Sequence, residues 1–233
     1  MAVVLAESYN VNSVSNTINQ TITTPSFTPV TGELIVLKVV SEDTGSPAGT
    51  PSATGGGITW TKRTENKVAS TCYAAIWTGI VTAGGSAITV SVTISGGVTG
   101  YVSMVLEGWT GAQLGPAPSL CYINGTTGAA TGTITVVSAG SMVSWLDGDW
   151  NASTGTITYV GSGPPIQTTQ DGYHTATGAY TAYYAYQIGI AGSQSFGLTS
   201  PTTQTYTLLA IEIQASGQAN SKSGTMMTMG VGI

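Results

Sequence analysis

A strictly alternating segment between two pairs of glycines constrains the fold of this chain more than any other feature. In residues 88–95, isoleucine or valine alternates with threonine or serine at every position. Successive side chains of a β-strand point to opposite faces, so the aliphatic set faces a core and the hydroxyls face solvent. The glycine pairs at 84–85 and 96–97 supply the positive φ angles of tight turns. The segment therefore predicts a three-stranded antiparallel meander with one wet face, formed by residues 72–79, 88–95 and 101–107.

The rest of the chain predicts more strands of the same kind and no convincing helix. Residues 33–41 are almost continuously aliphatic, which indicates a central strand covered on both faces. Roughly ten to twelve short strands separated by turn residues are typical of an all-β fold, here an antiparallel β-sandwich of the jelly-roll type. We predict one sandwich domain over residues 1–215 and a short C-terminal arm over 216–233. The residues expected in its core are Ile88, Val90, Val92, Ile94, Leu209, Ile211 and Ile213.

The composition excludes several classes of protein. Of the 233 residues 41% are hydrophobic and 6% are charged, with a net charge of −5. The hydrophobic content exceeds that of a disordered chain, and an acidic chain is repelled by nucleic-acid phosphates, so we expect no nucleic-acid partner. No apolar run approaches the ~20 residues of a membrane-spanning helix. The first residues lack the basic segment of a signal peptide, so neither membrane insertion nor export is expected.

The C-terminal arm differs from everything before it. It carries Met226, Met227 and Met229 among glycines and has a single charged residue, Lys222. Methionines are flexible apolar side chains, and this segment has too little bulk to form a core of its own. We therefore predict an assembly arm whose three methionines bind a partner.

Several short motifs occur in an order that resembles a known family. They are G-I-T-W-T at 57–61, A-A-I-W-T at 74–78 and L-A-I-E-I at 209–213. Their order and the strand spacing over about residues 14–215 resemble β-sandwich virion structural or minor tail proteins of tailed bacteriophages, chiefly phages of actinobacteria. The resemblance implies a part of the capsid surface or the tail, and it brings no catalytic residues.

Candidate chemical sites are few. Asp147, Asp149 and Asn151 place three oxygen ligands at alternate positions, as at the opening of a calcium loop. The glycine and glutamate that such a loop needs are missing, so a turn with side-chain-to-backbone hydrogen bonds is favoured over a metal site. His174, the only histidine, lies near Asp171. No nucleophile motif accompanies them, so an exposed loop histidine is favoured over a catalytic triad.

The two cysteines, Cys72 and Cys121, could pair, but two cysteines do not make a disulfide framework, so two separate, half-buried thiols are favoured.

These observations favour a non-enzymatic virion structural protein without cofactors, most directly a capsid decoration or cement protein. Its expected partners are the major capsid protein or other virion proteins and further copies of itself. Its expected location is the virion, assembled in the host cytoplasm. An alternative is a minor tail or fibre-associated protein that binds host carbohydrate through exposed aromatic rings, with Trp109 and Trp150 as the platform. A third is an exported glycan-active enzyme with Asp147 and Asp149 as acid and base.

Overall fold

A computed structural model describes residues 2–13, 17–43, 52–53, 55–68, 71–93, 99–114, 119–151, 155–160, 168–175 and 180–217. These residues form antiparallel β-sheets and contain no helix, so the all-β prediction is confirmed. Among them there is accordingly no helix that could cross a membrane. The three methionines of the predicted arm lie outside the described residues.

The first half of the chain contributes ten strands. They are β1 (Val4–Asn12), β2 (Thr17–Ile18), β3 (Thr21–Thr23), β4 (Leu34–Asp43), β5 (Ser52–Ala53), β6 (Thr61–Val68), β7 (Thr71–Ile80), β8 (Val90–Thr93), β9 (Thr99–Gly100) and β10 (Val102–Thr110). A five-stranded sheet has the order β1-β10-β4-β7-β6, and a smaller sheet has the order β3-β8-β5. Strands β2 and β9 pair with each other.

The second half contributes nine strands. They are β11 (Ala112–Gln113), β12 (Leu120–Gly125), β13 (Thr131–Val136), β14 (Met142–Asp149), β15 (Thr158–Tyr159), β16 (Thr168–Thr175), β17 (Tyr180–Ile188), β18 (Gly192–Ser200) and β19 (Tyr206–Ala215). The larger sheet has the order β19-β14-β17-β16, with β11 and β12 both pairing with the free side of β19. The smaller sheet has the order β13-β18-β15.

The two halves have the same topology. If the eight strands common to both are counted along each half, the larger sheet has the order 1-8-3-6-5 and the smaller sheet has the order 2-7-4 in both. Local hydrogen bonds repeat as well: the N–H groups of Gly32 and Gly140 donate to the carbonyls of Val81 and Gly189 at 2.8 and 3.1 Å. Each half is thus a sandwich of the jelly-roll type. The sequence predicted one such sandwich, and the structure contains two.

Three apolar cores separate four layers of sheet. The first core lies between the two sheets of the first half and contains Phe27, Leu37 and Trp77. The third lies between the two sheets of the second half, around Trp145 and Phe196. The middle core draws on both large sheets, so the two sandwiches pack face to face.

The predicted meander is wrong in its pairing. Strand β4 lies between β7 and β10, and the alternating segment pairs instead with β3 and β5 in an outer sheet. The reason is burial: in β10 every residue from Val102 to Trp109 is buried, so that strand belongs in an inner layer, whereas a strand with one apolar face suits an outer layer. The alternation itself is confirmed, because Ile88, Val90 and Val92 are buried.

The predicted core of β19 is also confirmed, since Leu209, Ile211 and Ile213 are fully buried. Ile94 lies outside the described residues.

Candidate functional site

The one buried ion pair among the described residues lies in the first half, and a hydrogen bond joins it to the second half. Lys38 Nζ lies 2.8 Å from Glu107 Oε1, and both side chains are fully buried. The other oxygen, Glu107 Oε2, accepts hydrogen bonds from Ser144 Oγ at 2.7 Å and from Trp109 Nε1 at 3.1 Å. Burial lowers the pKa of Lys38, while the neighbouring Glu107 carboxylate opposes that shift. These groups are paired or hydrogen-bonded with one another inside the protein, so they form a structural network.

The two tryptophans proposed as a sugar platform do not form one. Trp109 is fully buried in the middle core, where its ring meets Tyr186 edge-on with centroids 5.4 Å apart. Trp150 is half-buried against the same core. A sugar needs an exposed ring face, and Trp109 has none because its strand is covered on both sides.

The candidate metal ligands lie at the end of strand β14 and in the turn after it: Asp147 and Asp149 belong to the strand, which corrects the prediction of a turn for all three, and Asn151 belongs to the turn. Asp149 Oδ1 accepts hydrogen bonds from the N–H groups of Asn151 at 3.0 Å and Thr205 at 3.1 Å, while the Asn151 amide donates to a backbone carbonyl at 2.9 Å. Asp147 Oδ2 accepts from Gln204 Nε2 at 2.9 Å. Burial, and then the charge of Asp149, raises the pKa of Asp147 well above its usual range. No three metal-ligating side chains lie together in the part of the chain that the structure describes.

His174 lies on a strand and not in a loop, which corrects the sequence prediction. Its backbone is opposite Thr181 in the β16–β17 pair, and Asp171 lies in an irregularity of the same strand between Gln170 and Tyr173. Cys121 is a free, half-buried thiol, and burial raises its pKa. The thiol of Cys72 is not among the side chains that can be described.

The side chains of Glu7 and Glu33, which the sequence analysis did not single out, lie together at the start of the first sandwich. Glu7 is opposite Gly108 in the β1–β10 pair, and a side chain on Gly108 would collide with the carboxyl groups of both Glu7 and Glu33. Glu33 Oε2 accepts a hydrogen bond from the Val30 N–H at 2.9 Å. Burial, and then the charge of Glu33, raises the pKa of Glu7 to about 7. No spacing rule joins these glutamates, because the pairing of β1 with β10 brings them together.

Exposed apolar side chains concentrate at one end of the molecule. Six of the nine large apolar side chains that are exposed in the described residues belong to strand ends or turns at this end. We call them the end face: Val4, Val30, Ile80, Val137, Ile188 and Ile190.

The pairing of the strands places both halves in the end face. In the first half, Val4 is opposite Thr110, and Ile80 is opposite Leu34. In the second half, Ile188 is opposite Met142, the first residue of β14. The two halves meet because Ser216, directly after β19, lines the same cavity as residues 30–33 and Thr110.

A second cavity in this region contains the only arginine of the sequence, Arg63. Its volume is about 270 Å³, and Ile80 of the end face lines it. In the sequence Arg63 is one member of a short basic cluster with Lys62, and the cavity that it lines is formed by segments far apart in the chain.

Comparisons with protein families, with curated proteins and with solved structures found no match to this chain.

Proposed function

We propose that this protein is a non-enzymatic structural component of a bacteriophage particle, held in the particle through the end face. The observation that carries the proposal is the concentration of exposed apolar side chains at one end of a four-layered body. Apolar side chains grouped in this way are typical of a surface that another protein covers.

The distribution of charge supports a structural role. With 6% charged residues, the chain has few groups for acid–base chemistry. The buried ones that the structure describes hold strands together: Glu107 accepts from Ser144 and Trp109, and Glu212 accepts from Ser141. A surface of hydroxyl groups and backbone suits close packing among other proteins.

The place where the described chain ends also supports the proposal. Strand β19 ends at Ala215, and Ser216 lies beside the first-half turn of the end face. Residues 218–233, with the three methionines, therefore continue from the surface proposed to contact the particle. The resemblance to virion structural proteins points to the same role, with decoration of a capsid as the specific form.

The test compares exposed apolar residues inside and outside the end face. Ile188→Asn should leave the melting temperature unchanged, because the side chain is exposed, and should lower the number of copies in purified particles at least severalfold. Tyr122→Asn is the matched control, since Tyr122 is exposed in the middle of β12. Equal incorporation of both variants would refute the end face as the attachment surface. A few copies confined to the tail would favour the tail alternative over capsid decoration.

The predicted arm has a test of its own. Deleting residues 221–233 should leave the melting temperature of the free protein almost unchanged while weakening its attachment to the particle. A truncated protein that unfolds several degrees earlier and still attaches would assign the segment to the protein's own core.

A further inference from the structure

We propose that the Arg63 cavity binds a carboxylate carried on a small apolar group, such as the carboxyl-bearing residue of a partner polypeptide. The inference rests on the proposed function, because it names the chemistry of one group that the end face would receive. Three features of the described residues carry it: a cation without an acidic partner, the composition of the walls and the size of the cavity.

Arg63 and its neighbour Lys62 lie on opposite faces of strand β6, as successive residues of a strand do. In the β6–β7 pair Lys62 is opposite Trp77 and Thr64 is opposite Ile76, so Arg63 is the extra residue without a partner in the register. Lys62 lies over the Trp77 ring, 5.4 Å from its centroid, and pairs with Glu65 at 2.5 Å. Bulges are frequent beside binding sites. The alternation of the strand thus separates two adjacent cations, one over Trp77 and the other at the cavity.

The Arg63 guanidinium has no carboxylate partner among the described residues. Its Nε donates to Thr78 Oγ1 at 2.6 Å, and neither ion pair in this part of the chain includes it. Partial burial lowers its pKa, as expected for a cation that has lost solvent without gaining an anion. A guanidinium presents its N–H donors as a planar fork that matches the two oxygens of a carboxylate. The bond to Thr78 holds the fork in place and leaves the terminal nitrogens for a ligand.

The walls of the cavity set the rest of the ligand. Leu34, Ile80 and Leu114 supply an apolar lining, and Thr59 and Thr61 add side chains with hydroxyl groups. The cavity volume of about 270 Å³ lies below the range of about 300–1,000 Å³ that is typical of pockets for drug-sized ligands. A single small group therefore fits. An aliphatic side chain with a carboxylate beside it uses both the lining and the guanidinium. A phosphate would use the guanidinium alone and leave the apolar walls unmatched.

The experiment uses the full chain and two probes that differ in one charge. N-acetylleucine carries the free carboxylate, and N-acetylleucinamide is its neutral counterpart. Titration followed by amide chemical shifts should show N-acetylleucine binding with shifts at residues 59–63 and 78–82, and the amide binding at least tenfold more weakly. Arg63→Gln should weaken binding of the acid about tenfold to a hundredfold, the range expected for a charge-assisted hydrogen bond. Arg63→Lys should recover only part of the affinity, because an ammonium lacks the fork.

Lys62→Gln is the matched control, since it removes the same charge from the adjacent residue and should leave binding unchanged. Equal affinity for the acid and the amide, no effect of Arg63→Gln in a variant with normal melting temperature, or no binding of the acid would each overturn the proposal. Failure here is distinguishable from failure of the proposed function, because the loss of incorporation expected for Ile188→Asn does not depend on the cavity. Binding of the acid together with normal incorporation of Ile188→Asn would support the cavity's ligand and refute the end face as the attachment surface.

Discussion

The two sandwiches share a topology but fill equivalent buried positions with different chemistry. Leu34 and Met142 begin equivalent strands, and each is opposite the isoleucine that ends the neighbouring strand. Counting onward in the same register, Lys38 of the first half corresponds to Leu146 of the second, and Glu107 corresponds to Ile211. An ion pair and an aliphatic pair therefore face the same middle core. The fold needs those positions filled, and it does not need them charged.

A second comparison concerns the carboxylate that accepts hydrogen bonds from an equivalent turn in each half. It comes from a different strand in the two halves. In the first half Glu33, directly before β4, accepts from the Val30 N–H at 2.9 Å, and Gly108 of β10 leaves room for its carboxylate. In the second half Ser141 holds the position before β14, and Glu212 takes the place that corresponds to Gly108. The Glu212 carboxylate accepts from the Ser138 N–H at 3.1 Å and from Ser141 Oγ at 2.9 Å. Both turns need an acceptor at the same point, and either neighbouring strand can supply it.

Removing one member of the ion pair is expected to have the largest effect on stability. Lys38→Leu gives the first half the residue type that the second half has at the equivalent position, Leu146. It leaves Glu107 buried and without its cation. The free energy of unfolding should fall by about 3–5 kcal/mol, the usual cost of an uncompensated buried charge. Denaturant unfolding followed by tryptophan fluorescence measures it. Leu146→Val in the second half is the control and should cost about 1 kcal/mol, because it removes only part of an apolar side chain. Equal effects of the two substitutions would contradict the comparison.

Replacing both members of the ion pair by the aliphatic residues of the second half should recover most of the stability lost in Lys38→Leu. In Lys38→Leu/Glu107→Ile no charge remains at these two positions, and the double variant should be at least ~3 kcal/mol more stable than the sum of the single effects predicts. Ser144 and Trp109 lose their acceptor, which leaves a residual cost of about 1–3 kcal/mol for each unsatisfied group. Adding Ser144→Ala should remove part of this cost. Additive effects of the two single substitutions would show that the halves are not interchangeable here.

Exchanging the turn acceptors tests the second comparison and has a smaller expected effect. Glu212→Gly should lower the free energy of unfolding by about 2 kcal/mol, because the Ser138 N–H and the Ser141 hydroxyl lose a charged acceptor. Adding Ser141→Glu reproduces the first-half arrangement and should restore about 1 kcal/mol. Ser141→Glu in the presence of Glu212 should be destabilising, since two carboxyl groups would then compete for one place. A double variant no more stable than Glu212→Gly would refute the equivalence.

The smallest expected effect depends on pH. The pKa of Glu7 is raised from 4.5 to about 7, so the folded protein holds this proton more tightly than the unfolded chain does. Its contribution to stability is fully present below pH about 4.5 and is lost as the pH rises through about 7. Glu7→Gln should remove this part of the pH dependence and stabilise the protein at pH 8 by about 1 kcal/mol, allowing for solvent screening of a partly exposed group.

Melting temperatures between pH 4 and 9 measure the effect. Glu65→Gln is the control of opposite sign, because the net pKa shift of Glu65 is downward: burial raises it, and the hydrogen bonds from Lys62 and Tyr73 more than offset that rise. A steeper pH dependence in Glu7→Gln than in the parent protein would contradict the assignment.

Local sequence patterns predicted which side chains are buried, but they did not predict which strands pair with each other. The alternation of residues 88–93 reports which side chains face a core, because that depends on the strand alone. The partners of this strand depend on which other strands must be covered on both faces. Strand β4 is such a strand, and it lies between β7 and β10, where the alternating strand was expected. The repeated topology left no repeated sequence, since equivalent places hold residues as different as Lys38 and Leu146. Strand alternation predicts that Arg63 and Lys62 have opposite directions, but the cavity at Arg63 is built from distant segments that no local pattern joins.

The bulge at Arg63 also affects how this protein avoids aggregation. Strand β6 ends one large sheet and carries the charged residues Lys62, Arg63, Glu65 and Lys67. Strand β16 ends the other, and its irregularity falls at Asp171. In a chain with so few charges, these two edge strands have charge and a broken register, features that disfavour the addition of a strand from a second copy. Substitutions that straighten or neutralise these edges are expected to produce fibres before they produce unfolding, so solubility and stability can be lost separately.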